Sequence, residues 1–279
     1  MSLLRMIWER MSLILNQMPL YDGYIFDLDG TIYLGEKLLP GADRVIKELR
    51  EAGRGVVFLS NKPIETRYDY AAKLTRLGVP TDVSSVINSS FVLAQYLRRE
   101  APGCLCYVIG EQALLDDLDE AGVRYILEPE TVDYQVDYVV LAFDRTFDYQ
   151  KLNRALQCVK QGARLIATNG DRTCPVEGGE IPDAGGVIGA VEGTSGKKVE
   201  LIVGKPNSMT LKVALDMLKL PAERCLMVGD RIETDILMGS SYGLATALVM
   251  SGVTDGERLA ASDIRPDYVL DSVADLRTK

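Results

Sequence analysis

Four short stretches hold the residues whose types and spacing could do chemistry. Asp27 and Asp29 stand one residue apart at the end of the apolar run Tyr24-Ile25-Phe26, and Gly30-Thr31 turn the chain directly behind them. Ser60-Asn61 close the run Val56 to Leu59, Lys205 follows Leu201-Ile202-Val203, and Asp230 and Asp235 follow Cys225 to Val228. An extended chain points Asp27 and Asp29 to the same side, so their two negative charges would lie close together unless a cation or a proton relieved them. A hard cation with oxygen ligands, Mg²⁺, answers that need and suits a phosphate ester. Taken alone, the first stretch also reads as a solvated Asp-x-Asp turn.

Together the residues suit phosphoryl transfer, which needs an in-line nucleophile, groups that neutralise the phosphate oxygens, and an acid for the leaving alkoxide. Asp27 can attack phosphorus and become an aspartyl-phosphate, while Asp29 can protonate the leaving oxygen and then activate water. Ser60 and Asn61 offer uncharged donors to phosphate, and Lys205 offers a point charge. Mg²⁺ is expected on Asp27, Asp29 and Asp230, with a backbone carbonyl among its ligands and Asp235 behind them, orienting metal water or Lys205.

The elements that must position these residues alternate. A helical pattern opens at Pro40-Gly41 and ends near Gly53, strand 55–59 follows, and a helix carrying Ala71, Ala72, Leu74 and Leu77 runs to Gly78. Strands are predicted at 86–87, 106–109, 123–127, 138–141, 164–168, 201–203, 225–228, 246–250 and 268–270, with helices at 91–99, 112–121, 149–160, 185–192, 209–218 and 236–242 between them. Such alternation predicts an α/β fold, a doubly wound parallel sheet with right-handed crossovers. In that architecture the four functional strand ends lie on one edge of the sheet and converge. Only about 30 residues separate Asp29 from Ser60, but about 144 separate Asn61 from Lys205, of which a core can use roughly half, leaving a surplus of ~90. The expected division is an N-terminal extension at 1–20, a core at 21–88 and 185–279, and an inserted α/β unit at 89–184. The chain-bending segment 178–186 is the expected return.

Composition narrows the function classes. Among 279 residues there is no histidine, which removes a Ser-His-Asp triad, phosphohistidine and His-ligated zinc together. A net charge of -9 argues against a nucleic-acid surface, which would need a basic face. No apolar run reaches the ~20 residues of a membrane span, and the first 20 residues form a short amphipathic lead broken by Arg5, Glu9 and Arg10. Five cysteines, an odd number without Cys-x-x-Cys, read as free thiols in a reducing compartment, hence a cytoplasmic protein. Oligomeric state is left open, a homodimer included.

The motifs resemble those of the haloacid dehalogenase (HAD) superfamily of phosphatases. Asp-x-Asp-Gly-Thr is met at Asp27 to Thr31, the strand-end Ser or Thr at Ser60, the Lys at Lys205, and Gly-Asp-x-x-x-Thr-Asp at Gly229 to Asp235, all in the required order. The inserted unit is similar to the class IIA cap of the NagD-like subfamily, which includes nitrophenyl-phosphate and sugar-phosphate phosphatases. The resemblance implies a Mg²⁺-dependent phosphatase of small phosphorylated metabolites. It also implies that Asn169 and Asp171, in the stretch Thr168-Asn169-Gly170-Asp171, could overhang the site and touch substrate; a solvated turn is the other reading. A phosphotransferase or phosphomutase could use the same nucleophile, and a non-enzymatic phospho-aspartate switch shares the strand-end Asp, Ser/Thr and Lys but needs neither Asp29 nor a cap. Two look-alikes carry less. Gly193 to Lys198 imitates a phosphate loop, but Val191 stands where its first glycine belongs and Lys198 replaces its Ser or Thr. Cys104 and Cys106 read as one face of a strand rather than a metal pair.

Overall fold

The computed structural model describes residues 18–128, 135–176 and 179–279. Most of the expected extension at 1–20, and the first residue of the expected return at 178–186, lie outside them. In chain order come β1 (Gly23–Asp27), β2 (Tyr33–Leu34), β3 (Lys37–Leu38), α1 (Ala42–Glu51), β4 (Gly55–Ser60), α2 (Arg67–Arg76), β5 (Val86–Asn88) and α3 (Ser89–Glu100). Next are β6 (Leu105–Ile109), α4 (Gln112–Ala121), β7 (Arg124–Ile126), β8 (Tyr138–Leu141), α5 (Tyr149–Lys160), β9 (Arg164–Ala167), β10 (Thr173–Val176) and β11 (Gly179–Pro182). The remainder is α6 (Ala184–Ser195), β12 (Leu201–Ile202), α7 (Ser208–Leu218), β13 (Cys225–Gly229), α8 (Leu237–Ser241), β14 (Ala245–Val249), α9 (Gly256–Ala261) and β15 (Tyr268–Leu270). Contacts divide the chain into two compact units. Among the described residues the first holds 18–59, 71–86 and 211–279, and the second holds 60–70, 87–128, 135–176 and 179–210.

The first unit is built on a six-stranded sheet in the order β15-β14-β13-β1-β4-β5. β1 lies parallel between β13 and β4, with Phe26 opposite Val228 and Asp27 opposite Leu59. Because helices cover both faces of such a sheet, β1 is buried throughout its length, and Tyr24, Phe26 and Phe58 form a row with ring centroids 6.1 and 6.3 Å apart. α1 follows the same logic at helical period. It buries Ala42, Val45, Ile46 and Leu49, the i, i+3, i+4, i+7 stripe of an amphipathic helix.

The second unit has its own five-stranded parallel sheet, β12-β9-β8-β6-β7, and an antiparallel hairpin, β10-β11. Tyr107, Val139, Leu141 and Leu165 from this sheet pack with Ala155 and Cys158 of α5 and Val187 and Val191 of α6. α4 ends at Gly122, whose left-handed φ of 70° is the conformation a helix-terminating glycine takes without penalty.

Parallel α/β architecture therefore holds in both units, and α4, α5, β8 and β15 occupy the predicted residues. Two placements differ from expectation. The strand at 201–203 was expected in the opening sheet, but β12 pairs with β9, Leu201 opposite Ile166, and the helix at 185–192 belongs to the core of the second unit. A two-residue apolar strand has the same pattern in either sheet, so only its neighbours decide. Within the segment expected as a bare return, Gly179–Pro182 form β11, which pairs with β10 in a hairpin, and Ala184 already opens α6. No helix among the described residues is long and apolar enough to cross a membrane.

Candidate active site

Asp27 is the last residue of β1, and Asp230 follows Gly229, the last residue of β13. These strands are parallel neighbours, so both carboxylates leave the sheet at the same edge. Asp235 returns to them through a turn of π-helix at Ile232–Ile236. One carboxylate oxygen from each of Asp27, Asp230 and Asp235 lies within 4.8 Å of the others, and all three residues are buried.

Local backbone holds the trio in place. The Val253 N–H donates to Asp230 Oδ2 at 2.6 Å, and the Thr254 N–H donates to the Asp230 carbonyl at 3.2 Å. Two glycines make room: a Cβ on Gly252 would stand 2.0 Å from Asp230 Oδ2, and one on Gly30 would stand 2.6 Å from it. Asp235 Oδ2 accepts from the Arg231 N–H at 3.1 Å, and its side chain lies so close over Gly229 that a Cβ there would come within 2.3 Å. Three buried carboxylates this close repel one another, and burial makes an uncompensated charge costly. An all-oxygen, hard, anionic donor set fits a divalent cation such as Mg²⁺.

Asp29 sits differently. It is half-buried in the turn after β1, and its carboxylate is not one of the trio. That turn is rigid, because the Leu28 carbonyl accepts the N–H groups of Thr31, Ile32 and Tyr33 at 3.2, 2.8 and 3.2 Å while the Gly30 N–H donates to the Tyr33 carbonyl at 2.7 Å. Gly30 takes φ +88°, a region that disfavours a side chain.

The other residues selected from the sequence belong to the second unit. Ser60 ends β4, one residue past the partner of Asp27, and its hydroxyl bonds the Tyr70 hydroxyl at 3.2 Å. Asn61 reaches Lys205 across 144 positions: its Oδ1 accepts the Lys205 N–H at 2.8 Å, and its Nδ2 donates to the Lys205 carbonyl at 3.3 Å. The same Nδ2 donates to Asp171 Oδ2 at 3.0 Å. Asn169 is fully buried, with its amide given to Asp171 Oδ2 at 3.2 Å and to Asp183 Oδ1 at 3.0 Å. Lys205 is itself 4% exposed. The structure thus brings Asp27, Asp230 and Asp235 together in one unit and Asn61, Lys205, Asn169 and Asp171 together in the other.

Sequence reasoning missed Asp183 and the two-glycine cradle. Asp183 caps α6 through the Ala184 N–H at 2.6 Å, and burial pushes its carboxyl above the usual carboxylate range against the pull of that bond and of Asn169. The available signal was an Asp immediately before a helical run.

A parallel α/β sheet that delivers three buried carboxylates to one edge is an arrangement of the class able to hold a divalent cation. Residues 24–124 match the family described as haloacid dehalogenase-like hydrolase, and residues 202–276 match a HAD-hydrolase-like family. The sugar-phosphatase AraL of Bacillus subtilis is 41% identical over 91% of this chain and 91% of its own length. Glycerol-3-phosphate phosphatase of Gallus gallus is 36% identical over 91% of this chain and 90% of its own. Among solved structures, a p-nitrophenyl phosphatase from Archaeoglobus fulgidus superposes with a TM-score of 0.86 at 32% identity, covering 92% of this chain and 98% of that one. NagD from E. coli K-12 gives 0.84 at 31%, covering 94% and 100%. The chain belongs to the haloacid dehalogenase-like hydrolases.

Proposed function

We propose that this hydrolase of phosphoric monoesters dephosphorylates a small phosphorylated metabolite, a sugar or polyol phosphate, through an aspartyl-phosphate on Asp27. The observation that carries the reading is the position of Asp27, a strand-end carboxylate packed against two other buried carboxylates. Asp27 offers one oxygen to phosphorus; as that bond forms, the bond from phosphorus to the ester oxygen breaks. Asp29, outside the trio, gives its proton to the departing alkoxide. It then takes a proton from water as the water oxygen attacks phosphorus; the bond from Asp27 to phosphorus breaks, phosphate leaves, Asp27 is again a carboxylate and Asp29 again carries its proton. The Ser60 hydroxyl and the Lys205 ammonium meet the phosphate oxygens.

Asp27, Asp230 and Asp235 would hold Mg²⁺, with Asp29 adding its main-chain carbonyl. When bound, the ion supplies charge neutralisation for phosphate and for the trio. The second α/β unit takes the part of a class IIA cap. The substrate class rests on relatives named sugar-phosphatase and glycerol-3-phosphate phosphatase. Five free, buried thiols support a reducing, cytoplasmic setting.

A panel of sugar, polyol and aryl phosphates assayed with Mg²⁺ tests the proposal. Phosphate release is expected from the aryl ester and from a subset of the metabolites. Release from none of them by a folded protein would overturn it.

A further inference from the structure

The sequence offers Asn61 as a donor to substrate phosphate and Asp171 as either a substrate contact or part of a solvated turn. The hydrogen bonds around them lead elsewhere. A carboxamide has two N–H donors, and both of Asn61 are committed, to Asp171 Oδ2 and to the Lys205 carbonyl. Its oxygen takes the Lys205 N–H. Asn61 therefore grips both polar groups of one residue's main chain, much as a neighbouring strand would. The grip is itself held, because the Ser89 hydroxyl at the start of α3 donates to the Asn61 carbonyl at 2.6 Å. On the far side the chain has been cleared for it: a Cβ on Gly204 would stand 2.7 Å from Asn61 Oδ1 and 2.6 Å from the Thr168 carbonyl. Asp171 orients the amide by accepting from it, and Asn169 fixes Asp171 by donating to the same oxygen.

We infer that Asn61 and Asp171 are positioning residues for Lys205 that do not themselves touch substrate: they lock the main chain from which the Lys205 ammonium projects. The inference rests on the assignment of Lys205 to phosphate. An ammonium on a four-carbon stem has many rotamers, and the stem's origin is the one part the fold can hold rigid. Small errors in such a group's position cost large factors in rate.

Exchanging the two side chains separates this role from direct contact. Asn61→Asp alone sets two carboxylates against each other and should lower kcat/KM by about 100-fold. Adding Asp171→Asn restores an amide-to-carboxylate bond of reversed direction, leaves the Lys205 N–H its acceptor while giving up the bond to the Lys205 carbonyl, and keeps the net charge. The double variant should regain at least about 10-fold. Were Asn61 a phosphate ligand, the carboxylate at position 61 would repel phosphate in both variants, and absence of recovery in a folded double variant overturns the inference. Asp171→Ala should lower kcat/KM by a similar factor for every ester; a changed ranking of substrates would make Asp171 a substrate contact instead.

A readout independent of turnover is hydrogen exchange at the Lys205 amide. Protection should fall in Asn61→Ala and persist in the double variant, whereas an unchanged rate in Asn61→Ala would overturn the inference. Wild-type phosphate release measured alongside tells the two failures apart. An inactive wild type with Lys205 exchange responding as expected refutes the proposed function and keeps the clamp; an active wild type with no recovery does the reverse.

Discussion

Gly252→Ala should damage cation binding without touching a carboxylate. Gly252 is not among the glycines with left-handed φ, so alanine meets no backbone strain there and the effect is steric alone. The added Cβ would lie 2.0 Å from Asp230 Oδ2 and 2.5 Å from its Cγ. Relief to an ordinary contact means moving the carboxylate or the loop by about 1 Å or more. The Val253 N–H, now 2.6 Å from the same oxygen, cannot follow both. Losing a hydrogen bond to a charged acceptor costs ~1.5–3 kcal/mol, and disturbing a group that orients a metal ligand lowers affinity by about 10- to 100-fold. The Mg²⁺ concentration for half-maximal hydrolysis of p-nitrophenyl phosphate should rise by about that factor, while the rate at saturating Mg²⁺ falls much less. Gly256→Ala is the control, since a Cβ there meets nothing within 4 Å. An unchanged Mg²⁺ requirement in folded Gly252→Ala would refute the reasoning from cradle to metal ligand.

Asp27→Asn should abolish turnover by about three orders of magnitude or more in a folded protein, because an amide does not attack phosphorus; residual activity within tenfold of wild type removes it as nucleophile. Asp29→Asn should hurt sugar phosphates far more than p-nitrophenyl phosphate, whose phenolate leaves with little protonation, and rapid quenching should trap phosphoprotein; equal losses on both esters take Asp29 out of the acid role. Buried Asp117 on α4 tests the fold rather than the site: burial pushes its carboxyl above the usual range, while the Ser90 hydroxyl at 2.5 Å and the Arg67 charge pull it down and Glu120 pushes it up. Over the interval from the unfolded value of 3.8 to the raised native one, the folded chain keeps a proton that the unfolded chain has lost. This stabilising contribution is full at lower pH and is lost as pH rises through that interval. The urea midpoint of Asp117→Asn should therefore gain on wild type as pH rises from about 4 to 7, and parallel curves would contradict the assignment.

The sequence alone determined the elements and the chemical inventory. A parallel strand buried on both faces must be an unbroken apolar run, so β1, β4 and β13 announce themselves and mark Asp27, Ser60 and Asp230 as strand-end residues. Helical period marks α1, α4 and α5 for the same reason: one stripe must leave water. What such patterns record is that a face is buried, never against what. Hence β12, two apolar residues before Lys205, could be read as a strand, but only pairing with β9 assigned it to the second sheet.

The same limit applies within the site. Asp235 was legible as an acid behind the metal, yet it stands level with Asp27 and Asp230 because a π-turn folds it over Gly229, which no helical period predicts. Asn61 looked like a free donor, since nothing nearby in sequence occupies it. Its partners come from 110 and 144 positions away and use both of its side-chain hydrogens. Residue type and spacing set which groups can act; saturation of hydrogen bonds and exclusion of volume, which act between segments distant in the chain, decided which of them have already been spent on holding the others.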